Sequence, residues 1–222
     1  MGDAEILHSP EMAPSPEILH CPDPGAAGRL AGDARSELAG ALRGWQRNAP
    51  PALLVEVAGD AWAHAPSQDA GLRDRAAIDR VYALVTALYG LACPVVVSVD
   101  GSVSGLGCAL LLAADVRFGT QRAAVSAGDG PAAALLAGAG RLSPAIDRLC
   151  WTADTLTGEP AVAAGVLTAL ASVEDARACA ARLAADPAGW SAVKRAHRSR
   201  TRPEFETALR YESWLLDIAL HG

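Results

Sequence analysis

Two apolar runs, Leu53-Leu54-Val55-Glu56-Val57 and Pro94-Val95-Val96-Val97-Ser98-Val99, most constrain this chain. Each is strand-length and apolar at nearly every position, the pattern of a strand buried on both faces. Between them, Leu72 to Leu91 carries Ile78, Val81, Tyr82, Val85, Leu88 and Tyr89 at helical spacing. Strand, amphipathic helix, strand implies a parallel sheet covered by helices, an α/β fold. The flanks extend the alternation. Ser36 to Trp45 reads as a helix stopped by Asn48-Ala49-Pro50-Pro51, and Asp115 to Phe118 and Ala123 to Ser126 read as strands. Gly59 and Asp100-Gly101 read as the ends of the two apolar strands, and Ala61 to Gly71 as a loop. From Ser143 onward the chain reads as a helical layer: Ser143 to Thr152, a helix opened by Pro160, Val173 to Ala185, and Trp190 to Leu220 interrupted at Pro203.

Composition narrows the function classes. The 222 residues suffice for a self-supporting core, and 51% hydrophobic with 20% charged residues is a globular mixture. A net charge of −6 and a pI near 5.3 speak against nucleic acid as a partner. The basic cluster Lys194-Arg195-Ala196-His197-Arg198-Ser199-Arg200-Thr201-Arg202 reads either as a solvated helix end or as a patch for an anionic ligand such as a nucleotide phosphate. The five cysteines, Cys21, Cys93, Cys108, Cys150 and Cys179, form no CxxC or Cys/His cluster. That pattern suits reduced, mostly buried thiols in a cytoplasmic protein, with no disulfide framework and no metal site. No run is long and apolar enough to span a membrane, and the N-terminus lacks the pattern of a secretory signal. Near the N-terminus, Glu5-Ile6-Leu7-His8-Ser9-Pro10 is nearly repeated as Glu17-Ile18-Leu19-His20-Cys21-Pro22. The second copy is expected to form a short strand ended by Pro22. The expected organisation is a loosely ordered segment over 1–15, an α/β core over 16–142 and a helical region over 143–222.

The chemistry is concentrated where the second apolar strand runs into Ser102-Val103-Ser104-Gly105-Leu106-Gly107 and then an apolar helix from Cys108 to Ala114. A glycine-rich turn at a helix start presents backbone N–H groups to an anion or oxyanion. Neither a dinucleotide fingerprint nor a Walker loop is satisfied, because Ala109-Leu110 follow Gly107 and no Gly-Lys-Ser/Thr occurs.

These residues resemble the crotonase superfamily, the enoyl-CoA hydratase/isomerases. The resemblance is carried by Cys93-Pro94-Val95-Val96-Val97-Ser98-Val99-Asp100-Gly101, by Gly105-Leu106-Gly107-Cys108-Ala109-Leu110 with Ala114-Asp115-Val116-Arg117, and by Leu156-Thr157-Gly158-Glu159-Pro160-Ala161-Val162-Ala163-Ala164-Gly165-Val166-Leu167. A weaker match is Ala61-Trp62-Ala63-His64-Ala65. The resemblance covers residues 50 to 170 well and the ends poorly. It implies a crotonase (ClpP/crotonase-like) fold of repeated ββα-type units with a C-terminal helical layer. It implies an acyl thioester substrate whose carbonyl is gripped by two backbone N–H groups that stabilise an enolate. Those donors fall on His64 and Leu106, with Ala63, Gly105, Gly107 and Ala109 lining the substrate. No separate cofactor is implied, CoA or phosphopantetheine being part of the substrate.

The chain also departs from the family. Of the two glutamates that hydratases use, the first position falls on Ala109 and the second on Asp129, which keeps a carboxylate one methylene shorter. Isomerisation, dehydration, decarboxylation or cyclisation can run on an oxyanion hole and one acid/base group, as in natural-product and polyketide pathways; ordinary two-glutamate hydration is disfavoured. The chain stops at Gly222, where the family continues into a helix that covers CoA. A carrier-protein thioester, or a non-catalytic crotonase-fold partner of a synthase, is therefore the alternative expectation. The family also implies a homotrimer or hexamer, for which Trp190, Tyr211 and Trp214 are interface candidates. A serine hydrolase built on Ser104 lacks the downstream histidine such an enzyme needs, since no histidine occurs between His64 and His197.

Overall fold

In a computed structural model of the chain, residues 14–21, 32–63, 75–126 and 154–221 are described. In chain order the elements are β1 (Glu17–Cys21), α1 (Gly32–Arg47), β2 (Leu53–Trp62), α2 (Arg75–Tyr89), β3 (Val95–Ser104), α3 (Leu106–Ala113), β4 (Val116–Gly119) and β5 (Ala124–Ser126). Then follow β6 (Thr155–Thr157), α4 (Glu159–Ala163), β7 (Ala169–Leu170), α5 (Val173–Ala184) and α6 (Pro187–His221). The expected helix over 143–152 and the first copy of the N-terminal repeat lie outside the described residues.

The strands form one sheet in the order β1-β2-β3-β4-β7, and every pairing along that path is parallel. The repeat's second copy is β1, in register with β2 from Glu17↔Leu53 to Cys21↔Val57. The long strand β3 serves two neighbours in succession. Its first half pairs with β4 from Val96↔Val116 to Val99↔Gly119, and its last residues pair with β5 from Ser102↔Ala124 to Ser104↔Ser126. Asp100 secures this division. It accepts hydrogen bonds from Thr120 Oγ1 at 2.6 Å and Arg122 Nε at 2.9 Å, and a second one from the Arg122 guanidinium, so β3 is tied to the turn between β4 and β5.

Both faces of the sheet are covered, which is why β2 and β3 do not alternate in polarity. Val55, Val57, Val95, Val97 and Val99 face the larger apolar cluster, with Leu42 of α1, Leu88 of α2 and Leu110 of α3. Leu54 and Val96 point the other way, onto Ala176, Ala180 and Ala184 of α5. The alanine stripe lets α5 lie close to the sheet. Its start is set by a capping box in which Ser172 and Asp175 satisfy each other's backbone N–H groups.

Four sequence expectations are corrected. Gly59 and Asp100-Gly101 do not end their strands. They are paired inside them (Ala58↔Asp100, Gly59↔Gly101), and a Cβ on Gly101 would stand 1.9 Å from the Gly59 carbonyl oxygen. Glycine here answers a close strand contact rather than a turn. Ala61 and Trp62, expected in a loop, extend β2. The stretch after residue 143, expected to be purely helical, contributes β6 and β7 to the sheet, strands of three and two residues that are too short to show a period. Pro203 does not divide the last helix: α6 runs through it, and the proline is exposed, so its missing N–H falls at the surface.

Candidate active site

Strands β2, β3 and β5 run in the same direction and end close together, with Trp62 opposite Val103 and Ser104 opposite Ser126. Helix α3 starts two residues after β3 ends. Parallel strands bring their carboxyl ends to one edge, where α/β proteins place their sites. Two local features shape this edge. The β2–β3 register shifts between Gly59 and Trp62, a bulge that turns the last residues of β2. An Ala63 N–H donating to the Asp60 carbonyl at 2.9 Å closes that turn.

The other feature is the start of α3. Gly105 sits at φ 53° and ψ −120°, a backbone region open to glycine. Having no side chain, it cannot cap the helix, so it leaves the first-turn N–H groups to other acceptors. The first intrahelical bond runs from the Ala109 N–H to the Gly105 carbonyl at 3.2 Å. Gly107 permits the decisive contact. A Cβ there would lie 2.1 Å from the Trp62 carbonyl oxygen and 2.7 Å from Trp62 Cβ, so the first turn of α3 rests directly on the end of β2. The backbone around Ala63 and the backbone around Leu106 are thereby held side by side.

The surroundings suit a developing negative charge. The first turn of α3 carries no acidic residue, and the helix dipole there is worth about half a positive elementary charge. Asp100, on the strand leading in, is occupied by Arg122 and Thr120, whose hydrogen bonds hold its carboxyl below the usual aspartate range. Trp62 is buried at 1% exposure in the larger apolar cluster. Its Nε1–H has no acceptor among the described residues.

Of the residues singled out from the sequence, Ala63, Gly105, Leu106 and Gly107 come together at this edge. His64 and Asp129 lie outside the described residues. Ala109, at the position of the family's first glutamate, is 2% exposed and packs in the larger apolar cluster. Ser104 is the last residue of β3. His197 belongs to the opposite end of α3, about 12 Å of helix away. No group of three His, Cys, Asp or Glu side chains that could hold a metal occurs among the described residues, and Cys93 and Cys108 are buried thiols there. Sequence reasoning missed Trp62, because what Gly107 makes room for is visible only once β2 and α3 are in contact.

The reading of Lys194 to Arg202 as a solvated helix end is corrected. Lys194 is 7% exposed in the body of α6, while Arg195 and Arg202 of the same cluster are exposed.

No protein-family model matches the sequence, and no curated protein matches it. Solved structures do match. An enoyl-CoA hydratase/isomerase from Pseudoalteromonas atlantica superposes with a TM-score of 0.71 at 18% identity, over 92% of this chain and 88% of that one. An enoyl-CoA hydratase from Mycobacterium avium gives 0.70 at 21% identity, over 88% and 83%. A protein from Acinetobacter baumannii described as an enoyl-CoA hydratase/isomerase gives 0.72 at 21% identity, over 92% and 93%. With its parallel sheet, its strand-edge helix α3 and its C-terminal helical region, this chain has the fold of the enoyl-CoA hydratase/isomerases, the crotonase fold.

Proposed function

We propose that this protein acts on an acyl thioester and stabilises its enolate at the junction of β2 and α3. The observation that carries the reading is the seating of Gly107 against the Trp62 carbonyl. It brings two backbone stretches, one running into His64 and one through Leu106, to a single place at a helix N-terminus. In this reading the N–H groups of His64 and Leu106 hold the thioester oxygen as it takes up charge, each being worth about 3–4 kcal/mol of barrier. Asp129 is the acid/base group. In isomerisation it takes the α-proton as general base and returns it at the γ-carbon; in dehydration the α-proton it takes and the β-hydroxyl leave together as water. In decarboxylation CO₂ leaves to form the enolate and the same group gives Cα a proton. In cyclisation the enolate carbon formed by proton removal attacks an electrophilic carbon of the same acyl chain, and two-carboxylate hydration is left aside. CoA or phosphopantetheine carries the acyl group, and a homotrimer or hexamer is the assembly that goes with this reading.

Ala109 favours a second reading. Its methyl group lies in the apolar cluster where the resemblance would place an acid/base glutamate. A crotonase-fold partner that binds a thioester or a synthase without turning anything over would be built this way.

Exchange of the α-proton in D₂O separates the two. Incubated with saturated and unsaturated acyl-CoA thioesters, the enzyme is expected to incorporate deuterium, seen by mass spectrometry, and Asp129→Asn to abolish it. Absence of exchange over the whole panel, with carrier-bound thioesters included, refutes the enzyme reading and favours the partner.

A further inference from the structure

The opposite end of α3 opens on a cavity of about 750 Å³ between the amino ends of β3 and β4 and helix α6. Among the described residues four cations line it, Arg117, Lys194, Arg198 and Arg200, against two carboxylates, Asp115 and Glu204. This is a local excess of two positive charges on a chain whose net charge is −6.

Much of the cluster is rigidly built. Asp115 takes Lys194 Nζ at 2.7 Å and the Val95 N–H at 2.9 Å on one oxygen, and Arg198 at 2.6 Å on the other. One carboxylate thus balances two buried or half-buried cations. Lys194 also donates to the Cys93 carbonyl at 2.7 Å, and Arg198 to the Ala113 carbonyl at 2.9 Å. The C-terminal carbonyls of α3 offset about half an elementary charge, which leaves the described lining net cationic. Arg198 is held in place by aromatic rings: its guanidinium lies 3.5 Å over Tyr89, which stacks on Phe205 at 3.8 Å. Its Nε–H is buried and has no acceptor among the described residues. Val162, Leu183, Phe205 and an exposed Trp190 supply apolar wall, and Thr168, His197 and Thr201 complete the polar part.

We propose that this cavity binds a small organic phosphate monoester, its phosphate held by Arg198 and Arg200 and its organic part laid against Trp190 and Phe205. A phosphate monoester carries close to two negative charges at neutral pH, which matches the excess better than a single carboxylate does. Arginine forks suit its oxygens. The site is separate from the thioester edge and does not depend on what happens there.

The test is calorimetric titration of the full chain with phenyl phosphate, inorganic phosphate and benzoate. Phenyl phosphate is expected to bind most tightly. R200Q, at an exposed position, should weaken it about tenfold, as the loss of a charge-assisted hydrogen bond does. W190A should weaken phenyl phosphate several-fold and leave inorganic phosphate unchanged. R195Q, which removes an exposed charge next to Lys194 but outside the cavity lining, should change nothing. Thermal melts of each variant verify folding. The proposal is overturned if phenyl phosphate fails to bind at millimolar concentration, if R200Q and W190A bind like the parent, or if R195Q weakens binding as much as R200Q. It is also overturned if the parent self-associates through this face and R200E disperses it, since a second copy would then be the occupant.

Discussion

The two ends of α3 are built from different materials. At the amino end the structure is made by backbone: Gly105 turns the chain, Gly107 lets the helix rest on the Trp62 carbonyl, and the strand ends are brought level by sheet register. At the carboxyl end it is made by side chains from distant segments, with Asp115 bridging Lys194 and Arg198, and Arg198 set over Tyr89. The first kind of site tolerates almost any side chain but no added atom at one position. The second tolerates crowding but not the loss of one charge. Substitutions at each end should therefore fail in different ways.

The largest effect is expected at Gly107. A valine there would push branched carbon into the Trp62 carbonyl, and no flexible side chain stands in between to yield. The helix must lift away from β2. Overpacking of this kind costs about 1–3 kcal/mol of stability, but the separation of the two backbone stretches should cost more, roughly 10²–10³ in the rate of deuterium exchange, the effect of losing an oxyanion donor. A Gly107→Val protein that melts nearly normally yet exchanges at the parent rate would show that the contact does not build the site.

Next comes Asp115→Asn, which tests the other end. The substitution keeps the shape and leaves Lys194 and Arg198 buried without their carboxylate. Removing one partner of such a cluster costs about 3 kcal/mol or more, roughly 6–12 °C in melting temperature for a domain of this size. Adding Lys194→Met should recover part of the loss, because burial already pulls the Lys194 ammonium below the ordinary lysine range and an apolar chain needs no counterion. Deuterium exchange should be unaffected by either change when assayed below the melting transition. A double variant less stable than Asp115→Asn alone would mean that the Lys194 hydrogen bond to the Cys93 carbonyl outweighs the cost of its unpaired charge.

The same contrast explains how much could be read in the sequence. The buried strands, the covering helices and the glycine-marked start of α3 follow from local pattern, because parallel strands need unbroken apolar runs and a backbone site needs glycine. The places where reading failed are those where a local signal had a tertiary cause. Gly59 and Gly101 resemble turn residues, yet they mark where β2 and β3 press together. Residues 194 to 202 resemble a solvated run of charge, yet the i, i+4 pair Lys194 and Arg198 faces inward to a carboxylate some eighty residues away in sequence. No spacing rule connects Asp115 with α6. Only the packing of α6 across the ends of β3 and β4 brings them together, so the carboxyl end of α3 could be suspected as an anion patch but not located.

Asp100 supplies the smallest and most discriminating prediction, since each end of α3 has an aspartate close by. Asp115 meets a buried lysine, whereas Asp100 meets Arg122, which is 76% exposed and screened by water. Asp100→Asn should therefore lower the melting temperature by much less than Asp115→Asn does, and added salt should shrink the difference from the parent further. The pH dependence carries a definite sign. Arg122 and Thr120 hold the folded Asp100 carboxyl below its unfolded value of about 3.9. Its contribution is thus fully present above that value and is lost as pH falls through the lower, folded one. Melting curves taken from neutral to strongly acid pH should converge for the parent and Asp100→Asn at the acid end, separate as pH rises toward about 4, the unfolded aspartate value, and keep a constant separation above it. Curves that stay parallel throughout would assign Asp100 a role in shape alone, and the strand leading into the amino end of α3 would then owe nothing to charge.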